Sequence, residues 1–288
     1  MTEYNIEVIK KEDKEFPWYL GNIENPPEAL YCIGDVTLLS KQAVAVIGAR
    51  KCSEYGRQMA LKVGRLMARN NVVTVSGMAA GIDSFAHVGA IEEKGSTIGV
   101  LGCGPDICYP KSNRRLYDNI CNEGLIISEY PPGTQPKPWQ FPRRNRIISA
   151  LAQVVVVVEA GTGSGSLITA VAAAEQGKEV MAVPGNISSI FSMGTNKLIQ
   201  DGANIITVPE DILRAMGLNP VIDKEDLTSM GNDELKIYKV LQEQGEVTMD
   251  FLCEALELEP FKVNGLVAIM EMKGIISYQL GKIFIAKF

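Results

Sequence analysis

Residues 43–48 read AVAVIG, residues 53–70 SEYGRQMALKVGRLMARN and residues 71–77 NVVTVSG. A β-branched run closed by glycine, an amphipathic stretch of helical period and a second such run describe a strand–helix–strand unit whose strands are buried on both faces. The pattern then repeats. NVVTVSG leads to GIDSFAHVGAIEEKG, STIGVLG (96–102) to SNRRLYDNICNEG, and GLIISEY (124–130) through a proline-rich stretch to RIISALA. QVVVVVEA (153–160) leads to SGSLITAVAAAEQG and KEVMAVPG (178–185) to GTNKLIQDG, with ANIIT and PEDILRAMG closing the unit. Alternation of this kind predicts a doubly wound parallel α/β sheet over residues 41–217.

The flanks differ from this unit. Residues 1–40, with PWYLGNIENPPEALYCIGD, are too short and too rich in Pro and Gly for a domain, and are expected as an extended lead packed on the core. Residues 218–232, LNPVIDKEDLTSMGN, read as a polar linker. Residues 233–288 then give three helical stretches, the second entered by a Thr248 cap, and a hairpin turning near Gly281, which is the outline of a winged helix.

Composition narrows the class. The chain has 288 residues, 46% hydrophobic and 22% charged, which excludes a collagen, a disordered tail and a disulfide-stapled miniprotein. The start, MTEYNIEVIKKEDKEF, has no apolar core of signal-peptide length, and the longest apolar run, Val154 to Val158, is far short of a membrane span, so a cytoplasmic protein with no membrane contact is expected. Six cysteines without a CxxC pair, and a single histidine, leave too few ligands for zinc; reduced, mostly buried thiols and no metal are expected. The net charge is −6, yet residues 111–146 carry Lys111, Arg114, Arg115, Lys137, Arg143, Arg144 and Arg146 against Asp118, Glu123 and Glu129. An acidic protein therefore holds one basic segment, suited either to phosphates or to pairing with its own acids.

In a parallel sheet the loops leaving the carboxyl ends of the strands share one edge. Here those loops begin at Gly48-Ala49-Arg50, Ser76-Gly77, Gly102-Cys103-Gly104, Ser128-Glu129, Glu159 to Ser166, and Pro184-Gly185. GTGSGS (161–166) suits a phosphate, with flexible glycines, the hydroxyls of Ser164 and Ser166, and the start of a helix. It lacks GxxxxGK[ST], and neither it nor GCGPDI is a GxGxxG fingerprint, so neither ATP hydrolysis nor a nicotinamide cofactor is expected. His87 follows Asp83 by four residues; a catalytic base and its orienter is one reading, and a buried pair bonded to the glycine loop is the favoured one. Glu159 is expected at the crevice, anchoring loop amides or excluding a misplaced phosphate. In PPGTQPKPWQFPRRNRIISALA (131–152), prolines hold an extended loop, Trp139 and Phe141 follow, and Arg143, Arg144, Asn145 and Arg146 lead into a helix. Rings beside guanidinium groups suit single-stranded nucleic acid; the competing reading has the aromatics plug the core and the arginines pair with Glu129 and Glu159.

The segments VIGARKCSEYG (46–56), SGMAAGIDSFAHVGAI (76–91), TIGVLGCGPDICYPKSNRRLYDNI (97–120), SEYPPGTQPKPWQFPRRNRIISALA (128–152), VVVVEAGTGSGSLITAVAAAEQGKEVMAVPG (155–185) and GTNKLIQDGA (194–203) resemble the DNA-processing protein A (DprA/Smf) family in order. The resemblance implies an extended Rossmann-like domain that binds single-stranded DNA, forms a homodimer, and assists loading of the RecA recombinase during natural transformation, with no cofactor and no catalysis. The family's Gly-Ala/Ser-Arg turn falls on Gly48, Ala49 and Arg50, its FPxRNR element on Phe141, Pro142, Arg143, Asn145 and Arg146, and its serine-rich turn on Ser164, Gly165 and Ser166. Lys137 and Arg144 complete the expected DNA-contact set. Many relatives carry an amino-terminal helical SAM-like domain, for which residues 1–40 leave no room. The alternative is a nucleotide-processing enzyme similar to the lonely-guy phosphoribohydrolases, but their PGGxGTxxE element is replaced by EAGTGSGSLIT, with Leu167 and Ile168 where an acid belongs. The carboxy-terminal unit nets −3 and has no arginine, which favours a protein contact over a DNA backbone despite Lys262, Lys273 and Lys282.

Overall fold

The computed structural model describes residues 4–219, 231–272, 275–279 and 281–285. The chain divides into two compact units, residues 1–220 and 221–288. The proposed linker falls almost wholly on residues 220–230, which lie outside the described residues, as does Lys273.

Among the described residues the first unit holds a nine-stranded sheet: β1 (Glu7–Lys10), β2 (Ala29–Gly34), β3 (Ala43–Ile47), β4 (Val73–Ser76), β5 (Thr97–Leu101), β6 (Leu125–Ser128), β7 (Val154–Val157), β8 (Glu179–Ala182) and β9 (Asn204–Ile205). Its order in space is β1-β2-β6-β5-β4-β3-β7-β8-β9. All pairings from β6 across to β9 are parallel, while β1–β2 and β2–β6 are antiparallel. The helices are α1 (Trp18–Gly21), α2 (Glu54–Arg69), α3 (Ile82–Glu92), α4 (Arg114–Glu123), α5 (Gln140–Leu151), α6 (Gly165–Glu175), α7 (Met193–Gln200) and α8 (Asp211–Ala215).

Strand periodicity splits the core into two layers. Val44, Val46, Val154 and Val156 meet Val63 and Met67 of α2, Ile82 of α3 and Leu213 of α8. Ala45, Ile47, Val155 and Val157 point the other way, onto Ile147, Ile148 and Leu151 of α5 and Ala173 of α6. Each fully buried branched side chain contributes about 1.5–3 kcal/mol relative to exposure, so this double layer is the main cohesive element.

Residues 4–40 pack into the core through Phe16, Leu20, Leu38 and Leu39, and beyond an extended lead they add β1 and β2 to the sheet. Pro26-Pro27 and Gly34-Asp35, which suggest irregular chain, bracket a six-residue strand whose Leu30, Cys32 and Ile33 are buried. The prolines and glycine mark its ends and leave its interior regular.

The second unit contains α9 (Asn232–Gln244), β10 (Glu246–Thr248), α10 (Met249–Leu256), α11 (Pro260–Met272), β11 (Ile276–Gln279) and β12 (Lys282–Ile285). Its strands form an antiparallel sheet ordered β10-β12-β11. Thr248 Oγ1 accepts from Phe251 N at 3.3 Å and caps α10, and Gly281 follows the β11 strand at φ 79°. Ile237, Leu241, Leu252, Val263, Val267 and Ile283 make a separate core.

Asp83 and His87 do not act as a pair. Asp83 Oδ2 accepts from Gly77 N at 3.1 Å, whereas His87 Nδ1 lies 2.7 Å from Thr97 Oγ1. The Thr97 hydroxyl donates to Thr74 O at 2.7 Å, so its oxygen is left to accept and His87 carries its proton on Nδ1. The other nitrogen, Nε2, is buried without a partner. Burial, reinforced by the charge of Arg144, pulls the imidazole pKa down to about 3. The unfolded chain therefore binds a proton near pH 6.5 that the folded chain refuses until about pH 3, and stability is lost as pH falls through that window. Because His87 is the chain's sole histidine, its own contribution should fall by about 1.4 kcal/mol between pH 7.5 and 5.5, read by urea denaturation as the difference between the chain and a His87→Gln variant at the two pH values.

Candidate nucleic-acid interface

The chain runs outward from β3 through β4, β5 and β6, then returns to place β7 on the other side of β3. At that reversal the loops leaving β3 and β7 diverge, which opens a crevice at the carboxyl edge of a doubly wound sheet. Here it measures about 840 Å³ and is lined by Gly48 to Arg50 from one loop and Gly161 to Ser166 from the other. Tyr109, Phe141 and Asn145 border one part, and Ile168, Ile190 and Met193 another.

The β3 turn is held tightly: Ala49 N donates to Glu159 O at 2.8 Å, and a Cβ on Gly48 would lie 2.6 Å from Ile82 Cγ1. Arg50 leaves this turn exposed, with its guanidinium carbon 5.7 Å from the centre of the Phe141 ring. Phe141 in turn stacks on Tyr109, centroids 5.4 Å apart and planes 28° from parallel. Gly102 makes room for this ring, since a Cβ there would sit 2.9 Å from Phe141 Cδ1. Arg50, Phe141 and Tyr109 thus form a cation–aromatic ladder along the crevice.

Opposite, Ser164 caps α6, its Oγ accepting from Ser166 N and lying 2.7 Å from Ser166 Oγ. Ser166 is buried while Gly165 is exposed. A Cβ at Gly163 or Gly165 would meet nothing within 4 Å, and neither residue has a left-handed backbone. Internal packing does not demand glycine at these two positions. What they provide is backbone open to an approaching ligand at the amino end of α6, where N–H groups and the helix dipole favour an anion.

The arginines divide among three roles. They lie within the first turns of α5, not ahead of it, so successive residues point about 100° apart around the helix and cannot form one stripe. Phe141 and Asn145, four apart, line the crevice, where Asn145 Nδ2 donates to Gly165 O at 3.4 Å. Arg144 lies in the floor of the crevice. Its side chain is buried, it donates to Gly77 O at 2.8 Å and to Val100 O, and burial pulls its pKa down to about 10 against the opposing charge of Asp83. Desolvation pushes the Asp83 carboxyl up while Arg144 holds it down.

Arg146 makes a bidentate pair with Glu129 at 2.8 and 3.1 Å and donates to Asn25 O at 2.9 Å, leaving its side chain 13% exposed. Arg143 meets the same carboxylate at 3.3 Å but remains 52% exposed. In this structure the guanidinium groups of Arg144 and Arg146 are held by protein partners, the first by backbone carbonyls and the second by Glu129 and Asn25 O. Lys137 and Trp139 are exposed on the approach, and Trp139 packs edge-on against Tyr130 at 6.1 Å.

Glu159 anchors a loop amide, the first of its two expected roles, but from outside the crevice lining. It is buried and accepts from Ser53 N at 2.8 Å and Ser53 Oγ at 2.5 Å, fixing the start of α2. Tyr109 is the member the sequence reading missed; it lies in GCGPDICYP, and its position before Pro110 gives no cue that it stacks on Phe141. Among the described residues no cluster of three His, Cys, Asp or Glu side chains is placed to hold a metal, and no helix is long and apolar enough to cross a membrane. The six cysteines are free thiols, with Cys32, Cys103 and Cys121 buried and their pKa values raised to about 12, 12 and 11 by desolvation.

A family model described as DNA recombination-mediator protein A matches residues 7–217. The DNA processing protein DprA of Bacillus subtilis is 43% identical over 215 residues, 74% of this chain and 72% of that protein. DprA of Streptococcus pneumoniae is 46% identical over 201 residues, 70% and 71% of the two chains. The X-ray structure of the S. pneumoniae protein matches with a TM-score of 0.70 at 43% identity, covering 73% of this chain and 74% of that one. DNA processing protein A of Helicobacter pylori, described for its single-stranded DNA binding mode, matches with a TM-score of 0.67 at 31% identity, covering 74% and 96%. Shared sequence over most of the chain and a shared sheet make this protein a member of the DNA recombination-mediator protein A family.

Proposed function

We propose that the protein binds single-stranded DNA in the switch-point crevice and, as a homodimer, helps to load a RecA-type recombinase, with no covalent step of its own. The observation that carries this reading is the pairing of open glycine backbone at Gly163 and Gly165 with the Arg50–Phe141–Tyr109 ladder across the crevice. Phosphates need approachable N–H groups and a cation, and bases need an exposed ring. A duplex offers its bases only through grooves and has no use for such a ladder. The H. pylori relative's description supports the single-stranded ligand, and the family description supports the role in recombination.

The nucleotide-hydrolysing alternative finds the nearby carboxylates already engaged. Glu159 is committed to Ser53, and Asp83 is buried with Gly77 and Arg144. Asp83 borders the crevice, but its carboxylate already accepts from Gly77 N and faces the Arg144 guanidinium, and Glu159 lies outside the lining.

Electrophoretic shifts at several salt concentrations should show single strands bound more tightly than duplexes. For three to five phosphates the slope of log K against log salt should be about −2 to −3.5; a salt-independent affinity would remove the electrostatic basis.

A Gly163→Ala, Gly165→Ala double variant has room to fold, since a Cβ at either position meets nothing within 4 Å, yet should lose about tenfold or more in DNA affinity. Arg50→Ala and Phe141→Ala should each weaken binding by about 1–3 kcal/mol, the range for stacking and charged contacts. Equal affinity in the folded glycine variant would move the phosphate path elsewhere.

A further inference from the structure

We propose that the outward face of α11 is a docking surface for a partner protein that presents an amphipathic helix with a lysine- and arginine-bearing edge. On α11 the core-facing residues are Val263, Val267 and Met270. Away from them, Phe261, Gly265, Ala268, Ile269 and Met272 recur at helical spacing, and all five are exposed. Phe261 is 91% and Met272 89% exposed, so the two largest side chains of the stripe are almost wholly solvated. The stripe spans about 16 Å, three turns, the length one docked helix covers. Isolated apolar residues on a surface are ordinary, whereas a continuous stripe with a large anchor at each end marks an interaction surface.

The charges around the stripe select the occupant. Glu254, Glu257 and Glu259, on the last turn of α10 and the connection to α11, are exposed and carry no ion pair among the described residues. Three lysines of the unit are committed, Lys236 and Lys262 to Asp233 at 3.1 and 2.5 Å and Lys282 to Glu246, while Lys239, on α9 rather than α11, is exposed without an ion pair among the described residues. Glu271 is held as acceptor from Tyr278 N at 2.8 Å. An apolar stripe with an acidic approach complements an apolar face with a basic edge. A DNA backbone would meet carboxylates there, and a second copy of this face would bring like charge against like.

The test uses the full chain and three labelled peptides of about 14 residues, four turns, read by fluorescence anisotropy. One carries leucines on one helical face with lysines along its edges, one is its scrambled composition, and one replaces lysine by glutamate. The leucine–lysine helix should bind at least about tenfold more tightly than either control, and the Phe261→Ser, Met272→Ser double variant should lose about tenfold or more. The Phe261→Leu, Met272→Leu variant should retain binding, showing that apolar surface is what the peptide reads. Equal binding of the scrambled peptide, or unchanged binding by the serine variant, overturns the proposal. So does a serine variant that loses only self-association in sedimentation velocity or only duplex-DNA affinity, since the face would then belong to a second copy or to DNA.

Discussion

A guanidinium buried in the floor of the crevice orders the first unit. Arg144, on α5, donates to the carbonyl oxygens of Gly77 at the end of β4 and Val100 in β5, with Asp83 of α3 nearby as counter-charge. A buried charge is tolerated only where carbonyls and an opposite charge replace water, so α5 is held in one rotation about its axis. Once that rotation is set, helix geometry leaves no freedom for its neighbours. Phe141 and Asn145 must enter the crevice, and Arg143 and Arg146 must turn to Glu129. Losing Arg144 would strand the Asp83 carboxylate in the core as well as release α5.

The glycines on the carboxyl edge serve two purposes. Gly48 and Gly102 are required by the protein itself, because a Cβ would strike Ile82 or the Phe141 ring. Gly163 and Gly165 are surrounded by open space, which leaves their backbone reachable from the crevice. Separating crowded glycines from open ones turns a glycine-rich loop, a weak signal by itself, into a statement about where a ligand meets backbone.

Much of the fold was legible because buried parallel strands are spelled by glycine-bounded β-branched runs, as in AVAVIG and QVVVVVEA. Strand β2 was not, since proline and glycine at the ends of ALYCIG look like irregular chain until the pairing with β6 is seen. Within the site, Arg50, Phe141 and the 161–166 loop could be read from their position after strands. The division of Arg143, Arg144 and Arg146 could not, because four consecutive residues appear as one basic cluster until they are wound around a helix. Glu159 shows the same limit: its place after β7 was clear, but the rotamer that turns it to Ser53 is set by α2, more than a hundred residues earlier.

The two units carry different chemistry: open backbone, rings and a free guanidinium in the first, and an acidic surface with an apolar helix face in the second. Photocrosslinking of the full chain to an iodouridine-substituted single strand, with the adduct located by mass spectrometry, reads out whether single-stranded DNA occupies the switch-point crevice. Occupancy there should give adducts on Tyr109 or Phe141, whereas adducts confined to Trp139, or to the second unit, would place the strand elsewhere.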